Sequence, residues 1–83
     1  MTNYDQMSEE ELLDLVKYDG YFLRYITNPS KDVQLAAVNQ VGFAIECINN
    51  PDKDVQLAAV KKNPFVIERI KNPHPAVIVE LIL

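Results

Sequence analysis

One cysteine and two glycines are all that the 83-residue chain holds of either type. A single Cys47 excludes an internal disulfide and fits a reducing compartment. Two glycines exclude a glycine-rich phosphate loop. Cys47 and the sole histidine, His74, belong to no cluster with zinc spacing, and no other residue set suggests a cofactor. No early apolar run with basic flanks reads as a signal peptide. The longest apolar stretch, near the C-terminus, is too short to cross a bilayer. These absences point to a soluble cytoplasmic protein with no membrane partner.

Positive charge is also scarce. The formal net charge is −4, which argues against nucleic-acid binding. Lys61, Lys62, Arg69 and Lys71 form a small basic region, too few charges for a nucleic-acid footprint, and read as solvated surface. The acids gather at the front: residues 1–23 hold six acids against Lys17, and residues 24–83 hold six acids against seven bases. That front is either a solvated end-cap or a surface that steers the chain toward a basic partner.

What the sequence does have is a period of 22. Lys31-Asp32-Val33-Gln34-Leu35-Ala36-Ala37-Val38 returns unchanged as Lys53-Asp54-Val55-Gln56-Leu57-Ala58-Ala59-Val60. Asn28-Pro29 returns at Asn50-Pro51 and Asn72-Pro73, and Tyr21, Phe43 and Phe65 keep the same beat, as do Ile26, Ile48 and Ile70. A short fixed period means stacked units, none of which buries its apolar face alone.

Local signals divide each unit in two. Ser8 with Glu11 is a capping box for a helix over about 9–18. Asp19-Gly20 ends it and starts a short helix to about Thr27, which Asn28-Pro29 stops. The spacing predicts long helices over about 31–40 and 53–62, short ones over about 43–49 and from Asn63-Pro64 to Lys71, and a last helix from His74-Pro75 to the end. The expected fold is all-α, a right-handed α-solenoid of about three and a half units in one domain. Its parts are a flexible lead-in over 1–7, a capping unit over 8–29, repeats over 30–51 and 52–73, and a half-repeat over 74–83.

Each long helix carries two apolar stripes on opposite sides, Val33/Ala36/Ala37 and Leu35/Val38. A surface helix needs one stripe, so two suit a helix packed between a predecessor and a successor. In the first helix Glu11 and Asp14 replace Val33 and Ala36, while Leu13 and Val16 keep the other stripe. The Val33/Ala36 side therefore faces the preceding unit, and the first unit is a cap. The last helix shows no matching change: Val79 and Ile82 stay apolar, Ile78 stands where Gln34 and Gln56 are expected to be exposed, and Leu83 stands at the place of Asn39. Glu80 at the place of Ala36 and Ala58 fits neither stripe.

Two candidate binding surfaces follow. Ile78, Val79, Ile82 and Leu83 form an apolar patch, which is either an interface or is buried by a tilt of the helix. Tyr18, Phe22 and Tyr25 are where the first unit departs from its siblings toward aromatics, either as an interface or as a cover for the open end. Tyr21, Phe43 and Phe65 form a ladder that is either an aromatic binding ridge or, the favoured reading, packing between neighbouring units. Cys47 occupies a variable, exposed position, and His74 reads as a capping imidazole; no base stands near the thiol, so an enzyme is not expected.

The segment Val55-Gln56-Leu57-Ala58-Ala59-Val60-Lys61-Lys62 followed by Asn63-Pro64-Phe65-Val66-Ile67-Glu68-Arg69-Ile70 resembles short helical repeats of bacterial and bacteriophage proteins, with the pattern V-x-L-A-A-V-x-x-N-G-x-A-L, in a family of unknown function. It is also similar to HEAT-like and leucine-rich-repeat-variant solenoids. The resemblance covers about 12–83 and departs at Val41-Gly42 and His74-Pro75. It implies a noncatalytic protein-binding scaffold, such as a phage-type inhibitor or adaptor of a host protein acting in the host cytoplasm. Two alternatives stand beside it: a homodimer joined through the C-terminal helix, and an acidic mimic of nucleic acid.

Overall fold

A computed structural model describes residues 4–82. These residues are all-helical, and no strand occurs among them. Four α-helices, α1 (Glu9–Tyr18), α2 (Lys31–Gln40), α3 (Lys53–Lys62) and α4 (Pro75–Ile82), alternate with three short helices, Gly20–Tyr25, Gly42–Cys47 and Pro64–Arg69. The α-helix bounds match the expected ones. The lead-in differs, because Tyr4–Gln6 forms a 3₁₀ turn.

Each long helix starts on a side-chain cap. The Glu11 amide donates to Ser8 Oγ at 3.1 Å while the Ser8 amide donates to Glu11 Oε1 at 3.0 Å. Ser30 Oγ accepts from the Val33 amide at 3.2 Å, and Asp52 Oδ1 from the Val55 amide at 2.9 Å. Each such cap satisfies an orphan amide and contributes about 1 kcal/mol. The helices end on one extended residue each, Asp19, Val41 and Asn63, whose amides close the last α turn. That extended residue throws the chain into the short helix.

The short helices are 3₁₀, and the reason lies in their spacing. Three residues per turn stack positions i and i+3 on one edge. Gly20, Leu23 and Ile26 are buried on that edge, as are Gly42 and Ile45 one unit on. Ile26, Ile48 and Ile70 finish the turns with amides bonded three residues back, at 3.0–3.2 Å. Asn28 and Asn50 then take left-handed φ values of 49° and 53°, which asparagine tolerates, and the chain reverses into the next unit.

Long helices pack in sequence, α1 on α2, α2 on α3, α3 on α4, and the short helices pack on each other in a second layer. The molecule measures 43 × 20 × 17 Å. Its core recurs by position. Val33, Val55 and Val77 are fully buried, as are Val16, Val38 and Val60. Grooves show which stripe faces which way: Leu13 of α1 lines one with Ala36 of α2, and Asn39 of α2 lines the next with Ala58 of α3. The Ala36 side thus meets the preceding helix.

Two sequence expectations are corrected. Gln56 is buried, not exposed, because its amide bridges two backbone groups: Nε2 donates to the Pro51 carbonyl at 2.9 Å and Oε1 accepts from the His74 amide at 2.8 Å. Gln34 is half-buried and donates to the Pro29 carbonyl at 3.0 Å. Cys47 is half-buried, not exposed, because it packs against the core. Glu80, which had no place in either stripe, lies 4.0 Å from Lys61 on the preceding helix, so an ion pair replaces an alanine contact there.

Candidate protein-binding surfaces

The first unit ends in an aromatic cluster. Tyr4 stacks on Tyr25 with centroids 5.7 Å apart and 20° between planes, and both rings lie 6.2 Å from Phe22. Asp5 Oδ1 accepts from the Thr27 amide at 3.3 Å and ties the leading turn down. Repeat equivalence gives the direction this cluster faces. Phe22 corresponds to Val66, whose Cγ1 would lie 3.3 Å from a β-carbon on Gly42 of the preceding unit. Tyr18 corresponds to Gln40, whose Oε1 accepts from the Gly20 amide of the preceding unit at 2.8 Å. Tyr18, Phe22 and Tyr25 therefore all point to the side where a preceding unit would lie, together with Glu11 and Asp14.

The three aromatics divide by exposure. Phe22 is half-buried under Tyr4, Tyr25 is partly covered, and Tyr18 is 82% exposed. Tyr4 was absent from the sequence-based candidates. Its signal was indirect: Phe22 and Tyr25 are large rings at positions where the sibling units carry Ala44 and Cys47, and Tyr4 is the one aromatic upstream of Tyr18. Glu11 has its carboxyl held below the usual carboxylate range by the Ser8 backbone hydrogen bond.

The opposite end is apolar. Ile78 is 44% exposed, Val79 51% and Ile82 76%. These side chains stay uncovered; no tilt of α4 buries them. Leu83, also expected in this patch, lies outside the described residues. Phe65 joins the end with 73% exposure, which sequence reasoning missed by treating it as one rung of a packed ladder. Tyr21 and Phe43, its siblings, are half-buried.

Pro64 explains why α4 sits apart from the third short helix. A β-carbon on Gly20 would lie 2.4 Å from the Ala37 carbonyl oxygen, and one on Gly42 would lie 3.0 Å from that of Ala59. Pro64 takes this position in the third unit and brings a full ring, and Leu81 takes the place of Ala37 and Ala59. The close approach of glycine to helix is lost. α4 packs on α3 with Val77 fully buried, while Ile78, Val79, Leu81 and Ile82 are exposed.

No three His, Cys, Asp or Glu side chains converge to hold a metal among the described residues. His74 Nδ1 accepts from the Ala76 amide at 3.0 Å, which opens α4. Among the described residues no helix is long and apolar enough to cross a membrane. No family model, curated protein or solved structure matches the chain.

Proposed function

We propose that the chain is a noncatalytic protein-binding module, built as a right-handed α-solenoid of 22-residue units, that binds through the exposed face of α4. Sequential packing of long helix on long helix and short on short supports the stacked architecture. One repeat position carries the functional reading. Val16, Val38 and Val60 are 0%, 0% and 1% exposed, whereas Ile82 at the same position is 76% exposed. Contiguous apolar surface of this kind marks an interface. The inhibitor or adaptor role implied by the repeat resemblance is one form such binding would take.

The test is capture of protein from a lysate on the immobilised full chain. Wild type and Tyr18→Ala are expected to retain the same partner, and Ile82→Glu to lose it. Capture that survives both Ile82→Glu and Val79→Glu would remove α4 as the binding face.

A second reading, a homodimer, is favoured by the mismatch between the ends. Glu11 and Asp14 at one end do not complement Val79 and Ile82 at the other, so only like-with-like pairing of α4 would close an assembly. Light scattering of wild type against Ile82→Glu reads this directly.

A further inference from the structure

A guanidinium covers the aromatic ring at each of the first two short helices. Arg24 Cζ lies 5.5 Å from the Tyr21 centroid, and Arg69 Cζ lies 5.9 Å from that of Phe43. The second of these crosses between units. Arg69 belongs to the third short helix and Phe43 to the second, and Arg69 Nη1 also pairs with Glu46 Oε1 at 3.1 Å. Phe43 and Glu46 are three residues apart, so a 3₁₀ turn sets ring and carboxylate on one edge, and the next unit's arginine bridges them.

The sequence repeats this receptor pair as Phe65 and Glu68. Here both are exposed, and among the described residues Glu68 has neither hydrogen bond nor ion pair. The first unit shows what happens when no arginine arrives from the following unit: position 47 is cysteine, and the unit supplies Arg24 itself at the place of Glu46. The third unit keeps the glutamate, and among the described residues no guanidinium lies over Phe65 or pairs with Glu68.

We infer that this end of the molecule takes an arginine-bearing helical segment of another protein, the guanidinium lying over Phe65 and pairing with Glu68 while apolar side chains seat on Val79 and Ile82. This occupant presupposes the binding face proposed above and continues the internal contact of Arg69 with Phe43 and Glu46. Arginine is required in place of lysine because one planar group has to stack on the ring and pair with the carboxylate together.

A displayed library of randomised 22-residue helical peptides, selected on the full chain, tests it. Selected peptides are expected to carry arginine. Replacing that arginine by lysine, or changing Glu68→Ala or Phe65→Ala in the protein, is expected to weaken binding about tenfold. Tyr18→Ala leaves it unchanged. These side chains are exposed, and circular dichroism checks that each variant keeps its helices. Peptides that lose binding with Ile82→Glu but carry no arginine and ignore Glu68→Ala would overturn the arginine while leaving the face. Failure to obtain any peptide sensitive to Ile82→Glu would overturn both. A dimer in light scattering that Ile82→Glu dissociates and Glu68→Ala does not would overturn the inference in favour of a second copy.

Discussion

Gly20 approaches the backbone of Ala37 so closely that a β-carbon on it would lie 2.4 Å from the Ala37 carbonyl oxygen and 2.8 Å from Val41 Cγ1. Replacing a helical glycine by alanine ordinarily gains about 0.5–1 kcal/mol through the unfolded chain. At Gly20 the clash is with backbone, which cannot swing aside, and overpacking costs about 1–3 kcal/mol. Gly20→Ala is therefore expected to destabilise. Gly42→Ala meets the Ala59 carbonyl at 3.0 Å, and its two effects nearly cancel. Urea midpoints for the two variants check the order.

The repeat position of Val38, Val60 and Ile82 gives a second test. Val38→Ala or Val60→Ala empties a filled site and is expected to cost about 2 kcal/mol. Ile82→Ala, at 76% exposure, is expected to stay within about 0.5 kcal/mol of wild type. Equal losses at all three would mean that Ile82 is covered in solution.

The aromatic cluster predicts a difference between two tyrosines. Tyr4→Ala uncovers Phe22 and Tyr25 and is expected to cost about 1 kcal/mol. It should also reduce the near-ultraviolet dichroism, which arises from tyrosines because the chain has no tryptophan. Tyr18→Ala should alter neither the midpoint nor the spectrum shape.

A pH dependence follows from the capping box. The Glu11 carboxyl is lowered in the folded state by its bond from the Ser8 backbone, with the Ser8 side chain second. A depressed folded value means stability that is present above the unfolded carboxylate range and is lost as pH falls through the folded one. Glu11→Gln should therefore be less stable than wild type at neutral pH, and the gap should close in acid. A gap that widens in acid would reverse the assignment.

Much of the fold was legible because the period is written in identical residues. Ser8, Ser30 and Asp52 marked three helix starts, and the two apolar stripes gave the direction of stacking. The 3₁₀ character of the short helices was not legible, since Leu23 and Ile26 fit an α-helical face as well as a 3₁₀ edge over so few residues. Gln56 misled because polarity suggests water, and only the fold brings the Pro51 carbonyl and His74 amide to the two ends of its amide. The exposure of Ile78, Val79 and Ile82 was legible from register alone. Phe65 was missed because its likeness to Phe43 concealed that the residue covering Phe43 has no counterpart over Phe65 among the described residues.

Methyl-resonance mapping by NMR, with the full chain titrated by a captured binder, tests the central claim most directly. Binding through the face of α4 predicts shifts concentrated on Val79 and Ile82, with Val16 and Val38 unmoved. Shifts concentrated instead on Leu12, Leu13 and Leu15 of α1, with Ile82 silent, would contradict it.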